Sequence, residues 1–399
     1  MEKALNYYKN NIKAVNEKLK KLEKVLIYFS ILRFIIVILC IGIMYYFYKQ
    51  SSIEAMGASF LVFLLIFIIV AFFHNEKINK KKKLLIILEY NEKGIKRLDN
   101  TWREFKDIGE EFINKKHKFS NDLDIFGKSS LFQWINLTKT SFGRKNLANK
   151  MMMNSLPTRY DIQEEQEAIK ELSNKREFCE KIYFEASIEN KKKENIEELL
   201  KWLDKDEKSN FTIKYISYLF IAITFIMIFL TITRKVSISN LILDLIINYL
   251  VIKLLTKRLS DVISIFINNK KEIYKYSNML SIIQDENFKS KKLLSIQKGL
   301  VSSNINCKNE MKKLKNIISW LGDSTSNAYY LIVNVLFMSD IFILSNLEEW
   351  KVKNGYKVRK WLNDMGEIEA LISLSTIAFE HDEWTYPTIS GVNEIEAIE

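Results

Sequence analysis

Few side chains in this 399-residue sequence are spaced for chemistry. Gly127-Lys128-Ser129 imitates the tail of a Walker A loop, in which backbone N–H groups and a lysine cradle phosphates. That loop requires another glycine five positions earlier, where Asp122 stands, and a preceding strand, which the polar segment 121–124 does not form. The triplet therefore reads as a turn, with Ser129-Ser130 capping a helix that turns Leu131, Ile135 and, further on, Phe142 toward a core. Two ionisable residues, Arg33 and Asp244, fall in apolar runs, where charge is costly and a proton or ion site is the sharper reading. Cys40, Cys179 and Cys307 are too scattered for a disulfide framework or a zinc site, which fits a reducing compartment. His74, His117 and His381 lack metal-ligand or triad neighbours and read as structural or surface residues. Met151, Met152 and Met153 read as adaptable core filler.

The elements that must position these residues are helices. A hydrophobic content of 48% with only 2 Pro and 11 Gly predicts an all-α protein of long helices. Leu5, Tyr8, Ile12, Val15, Leu19, Leu22 and Leu26 alternate in steps of three and four, a heptad stripe on a lysine-rich helix. Residues 26–48 and 56–73 are then apolar all round, each near the ~20 residues that cross a bilayer. Lys77 and Lys80 to Lys83 follow, against only Lys49 and Glu54 between the runs, so both ends of this transmembrane hairpin are expected in the cytoplasm. The stripe resumes at Leu84, Leu88, Asn91, Ile95, Leu98, Trp102, Phe105, Gly109 and Phe112. Residues 1–26 and about 77–113 are thus expected to pair as an antiparallel coiled coil.

A linker at 114–121 is followed by the helix after Ser130, and then Pro157 and Asp161 open one long helix to about residue 205. Residues 215–232 and, more weakly, 238–255 form a second expected transmembrane hairpin, though Arg234 and Lys235 fall in its outer loop. Arg33 lies roughly 10 Å from its cytoplasmic end, within snorkelling reach, and about 10 Å in depth from Asp244, so the two are not expected to pair. Asp244 is expected to face other helices or the headgroup zone. Leu259, Val262, Phe266, Asn269, Ile273, Tyr276, Leu280 and Ile283 keep heptad register in a stem expected to pair with 161–205. Short helices near 293–300 and 308–321 precede a buried core helix at 328–344, and a last helix over 358–379 places Leu362, Ile368, Leu371, Ile372 and Leu374 inside.

The formal charge of +12 favours an acidic partner, a nucleic-acid backbone or an anionic lipid surface. Two stretches narrow the choice. The first is Asp122-Leu123-Asp124-Ile125-Phe126-Gly127 with Ser130-Leu131-Phe132, Thr140, Gly143, Leu147, Pro157 and 165–172, which includes Gln166. The second is Asn363-Asp364-Met365-Gly366-Glu367-Ile368-Glu369-Ala370-Leu371-Ile372-Ser373-Leu374, with Ala378, Trp384 and Pro387. Together they resemble the core of the MutS DNA mismatch-repair family, and the matching residues are Asp124, Phe126, Gly127, Leu131, Phe132, Gly143, Pro157, Gln166, Gly366, Glu367, Glu369, Ala370 and Leu371.

The resemblance implies a core and lever module of a DNA-associated ATPase, acting as a homodimer, in a membrane-bound branch of the family. It divides the chain into a stem and hairpin (1–113), a first core part with a lever helix (122–205), a second hairpin (211–256), a second lever with the last core part (257–390), and a junction (391–399) toward an ATPase domain. ATP and Mg²⁺ are implied for a complete member through that domain, downstream or supplied in trans, and no catalytic, cofactor or metal residue is assigned within these 399 residues. Glu165 replaces the family's usual arginine, and Phe178-Cys179-Glu180 matches the Phe-x-Glu mismatch wedge only out of place, beyond the core motif. No residue is assigned as a DNA contact. A membrane-anchored helical scaffold without nucleic-acid binding is the alternative.

Overall fold

The computed structural model describes residues 1–188, 196–205, 212–255, 259–302, 305–319, 321 and 328–389. The expected junction at 391–399 and the flanking charges Lys208, Lys257 and Arg258 lie outside the described residues. The chain is all-α; among the described residues the only strands are two-residue segments, Val301–Ser302 and Ile305–Asn306, paired antiparallel. It divides into two compact units, one of Met1–Asn136 with Leu374–Glu399 and one of Leu137–Ser373.

In the first unit, helix α1 (Glu2–Lys49) and helix α2 (Ile53–Leu98) lie antiparallel. Asn11 meets Asn91, Glu23 meets Lys81, and Arg33 meets His74 along their length. All seven stripe residues from Leu5 to Leu26 are buried or half-buried, and the same register continues into the apolar run through Phe29, Arg33, Ile36, Cys40, Ile43 and Phe47. Most of the remaining apolar side chains there, such as Phe34, Leu39 and Ile41, face outward. One seam holds the pair together while the other faces of the apolar run stay exposed. Among the described residues three helices are long and apolar enough to cross a membrane, namely α1, α2 and Lys214–Ile232.

The second stripe ends earlier than its spacing predicts. Asn100 turns left-handed (φ +64°), Asp99 accepts the Thr101 N–H, and helix α2 stops at Leu98. Trp102 and Phe112 then sit on short 3-10 turns (Thr101–Glu104 and Glu110–Phe112), and Trp102 is still buried, beside the Trp134 ring. Helix α3 (Leu131–Ile135) starts at Ser130, whose hydroxyl accepts the Gln133 N–H. It buries Phe132 and Ile135, whereas Leu131 is 38% exposed, contrary to its expected inward position.

The second unit starts with α4 (Ser141–Met152), which ends on left-handed Met153. Met151 is buried, but Met153 is an exposed cap residue and fills no core. The single helix expected over 161–205 is broken. It comprises α5 (Arg159–Asn174), α6 (Arg176–Ala186) and α7 (Ile196–Asp204). Lys175 leaves helical geometry (φ −101°, ψ 51°), and its ammonium bonds Glu286 and the Asn287 carbonyl. The cap of α5 is Thr158, with Asp161 completing a capping box three residues later.

Helix α8 (Thr212–Ile232) packs on α9 (Ile238–Leu255). Helix α10 (Leu259–Asp285) packs on α6 and α7, and its heptad positions Phe266, Ile273, Tyr276, Leu280 and Ile283 are buried. It also packs on α12, the second of the two short helices α11 (Lys291–Gly299) and α12 (Cys307–Ser319). The helix expected at 328–344 is two, α13 (Ala328–Phe337) and α14 (Ser339–Glu380), separated by left-handed Met338 (φ +47°). Helix α14 runs through Gly355 without interruption, so the last helix begins well before the expected 358, and the glycine leaves room for a close approach, since a Cβ there would come 3.2 Å from the Leu203 carbonyl. Trp350 and Asn354 of α14 bond Glu310 of α12, backing a core that includes Trp202, Phe266, Met279, Leu314 and Trp361.

Candidate functional site

Within the second unit, parts of the two motif stretches meet. Thr140 is extended and its hydroxyl accepts the Gly143 N–H, so it caps α4. The same hydroxyl donates to the Glu369 carboxylate of α14. Glu369 also accepts the N–H groups of Lys139 (2.9 Å) and Thr140 (3.3 Å), residues 230 and 229 positions away. A carboxylate at the start of α4 complements the positive end of the helix dipole. Burial nevertheless pushes the Glu369 carboxyl above its ordinary value, against the hydroxyl, the two amides and the charge of Lys275.

Glycine makes this approach sterically open. A Cβ on Gly366 would lie 2.6 Å from the Phe142 carbonyl carbon and 2.8 Å from the Gly143 nitrogen. A Cβ on Gly143 would lie 2.5 Å from a Glu369 carboxylate oxygen. One turn further along α14, the Ser373 hydroxyl accepts the Leu137 N–H, and Asn146 of α4 donates to the Asn363 carbonyl. Lys150 bridges Glu165 of α5 and Glu367 of α14. Burial alone would lower its pKa, but Glu367 and Glu165 hold the ammonium above its ordinary value. Glu165 is thereby neutralised from α4.

Ala370 and Leu371 are buried beside this crossing, Gln166 is half-buried on α5, and Pro157 is exposed just before the Thr158 cap. The remaining motif residues belong to the first unit. Asp124 (φ +46°) and Gly127 (φ +103°) form a turn whose carbonyls at Asp124 and Ile125 accept the Leu131 and Phe132 N–H groups. The Phe126 and Phe132 rings lie 5.6 Å apart. Gly127 donates to the Ile108 carbonyl and Ser129 to the Gln133 amide, so two of the three amides of the Walker-like triplet are already engaged. The histidines are packing residues. His74 bonds Arg33, His117 accepts the Ser120 N–H, and His381 stacks on Trp384 with ring centroids 4.1 Å apart.

The Thr140 hydroxyl and the Glu369 carboxylate are both buried and are used on each other and on the start of α4. What the crossing can do is fix the direction in which α14 leaves α4, through a capped helix start, two glycines in near contact and a bridging lysine. Lys150 is the participant that sequence reasoning passed over, since nothing in Ala148-Asn149-Lys150 distinguishes it from the chain's many surface lysines. No protein-family model matches the chain, and neither a curated protein nor a solved structure matches it.

Proposed function

We propose that this chain is the core and lever portion of a MutS-like protein held at a membrane and associated with double-stranded DNA. In this reading α1 and α2 form a transmembrane hairpin with a coiled-coil stem, and α8 and α9 form a second hairpin. Both termini and the core are cytoplasmic, and the protein works as a homodimer whose ATPase domain lies downstream or is supplied in trans. The observation that carries the reading is the crossing itself. Parts of the two stretches that resemble one family, about 229 residues apart, touch through Gly143, Gly366 and Glu369, which belong to the likeness. The charge of +12 adds an electrostatic reason for a polyanionic partner.

The competing reading, a helical scaffold without nucleic-acid binding, is favoured by the internal use of Lys150 and Lys175 in ion pairs. Binding of a labelled ~30-base-pair duplex to the full chain in neutral-lipid nanodiscs separates the two. The DNA reading predicts binding at about 50 mM salt that weakens at least ~100-fold by about 200 mM, as several released counterions require. No binding at the lower salt excludes it and leaves the scaffold.

A further inference from the structure

The apolar helices of the second unit enclose a polar group that the reading above does not use. Thr224 of α8 is fully buried, and its hydroxyl lies 2.9 Å from an Asp244 carboxylate oxygen and 3.0 Å from the Phe220 carbonyl. Asn248, one turn beyond Asp244 on the same face of α9, donates to the Thr224 hydroxyl at 2.7 Å and to the Val335 carbonyl of α13 at 3.3 Å. Both donors of that amide are thus occupied. Its carbonyl oxygen, Asn248 Oδ1, is buried and accepts no hydrogen bond among the described residues, although the residue is 0% exposed. Asp244 is 9% exposed, and Thr224 is the partner it has among the described residues. Ile252 of α9 forms an apolar cluster with Met338 and Ile341, against which Phe220, Ile221 and Val251 pack.

Three features add up to unbalanced negative potential in this pocket of side chains. Asp244 brings a carboxylate. Asn248 brings an acceptor without a donor. Val335 belongs to the last turn of α13, where helix carbonyls lose their internal partners and the dipole is negative. The helix break holds that end in place, for the Asn334 side chain accepts the Asp340 N–H at 3.0 Å and donates to the Asp340 carboxylate at 2.6 Å. The site rests on the proposed membrane-spanning reading of α8 and α9, with the α13 end drawn in beside them. Thr224 lies ten residues past Lys214, so at 1.5 Å per residue it is ~15 Å along α8, near the middle of a ~30 Å apolar core. At that depth water does not screen the charge, and a carboxylate needs a compensating cation or a proton. Interrupted helices that present carbonyl ends to an ion at mid-membrane are a recognised physical solution.

We propose that Asp244 and Asn248 Oδ1, with the carbonyl end of α13, form a binding site for a dehydrated monovalent alkali cation. The donors are hard oxygens, which suit an alkali ion, and the set holds one formal negative charge, which a single positive charge balances. Thr224 positions the site, since its hydroxyl holds Asp244 and receives Asn248, turning the amide carbonyl away from the protein's own donors.

The test uses the full chain in neutral-lipid nanodiscs at constant ionic strength, with choline chloride replaced stepwise by sodium, potassium or lithium chloride. Sodium or potassium is expected to raise the apparent Tm by about 5–10 °C at ~100 times the dissociation constant, the shift growing with the logarithm of concentration. Asp244→Asn and Asn248→Leu are expected to remove the shift. An unresponsive wild type, or an equal shift in Asp244→Asn, overturns the proposal. Should either variant fail to fold, infrared difference spectra of the wild type decide. Exchange of choline for sodium or potassium is expected to perturb a carboxylate band, whereas a protonated carboxyl band that no cation alters means that Asp244 carries a proton and the site is not a cation site.

Discussion

Replacing Glu380 with alanine is expected to lower stability by about 3–5 kcal/mol, the usual cost of leaving one member of a buried ion pair alone. Arg97 and Glu380 each expose only 1% of their side chains. Arg97 Nε lies 2.9 and 3.0 Å from the two carboxylate oxygens, Nη2 lies 2.6 Å from one of them, and the Tyr8 hydroxyl adds a fourth bond at 2.8 Å. Burial works against the guanidinium charge, but Glu380 outweighs it and holds Arg97 above its ordinary value. Without the carboxylate, the desolvated guanidinium loses the three bonds it makes to Glu380, and the Tyr8 hydroxyl loses the one it donates there. An apparent Tm lower by on the order of 10 °C is the expected readout for a unit of this size. Arg97→Met combined with Glu380→Leu is expected to recover most of the loss, because removing both charges also removes both desolvation costs. A double-mutant cycle checks this, and a double variant as weak as the single one would show that the pair acts through shape alone.

The second large effect is expected at the motif crossing. Gly366→Ala places a methyl group against the backbone of Phe142 and Gly143, at 2.6 and 2.8 Å, and backbone atoms cannot rotate away as a side chain can. Overpacking of this kind costs about 1–3 kcal/mol, and Gly366→Leu is expected to cost more. Gly42→Ala is the matched control, since nothing lies within 4 Å of a Cβ there. Helix propensity favours that change by up to ~1 kcal/mol. Thermal unfolding of the three variants beside the wild type should therefore rank Gly42→Ala highest and Gly366→Leu lowest. An alanine at 366 that leaves Tm unchanged would mean the two helices are further apart than described.

What the sequence made visible, and what it hid, follows the range over which each signal acts. The seam of α1 was legible because three-four spacing is local, and it holds from Leu5 into the apolar run. The end of α2 was not, since Trp102 and Phe112 keep helical spacing while Asn100 has already turned left-handed. The breaks at Lys175 and Met338 carry neither proline nor glycine, whereas Gly355, which does resemble a break, is spacing for Leu203. At the candidate crossing, Gly143, Gly366 and Glu369 stood out through the family likeness. Their mutual contact depended on tertiary structure. Arg97 and Glu380, 283 residues apart, left no trace in either local pattern. Asp244 stood out as a charge in an apolar run, but its partner Thr224 did not, because a threonine is unremarkable there.

The central claim is that the MutS-like core stands on the cytoplasmic side of a membrane that the α1–α2 hairpin crosses and re-crosses. Single cysteines at Ser51, in the turn between those helices, and at Lys128, in the first motif, test it most directly; both positions are exposed. The wild-type chain supplies the background, as Cys179 and Cys307 are buried and Cys40 is half-buried in the apolar run. With a membrane-impermeant maleimide on intact cells, Ser51→Cys is expected to label and Lys128→Cys to label only after permeabilisation. Labelling of both from the same side would contradict the account.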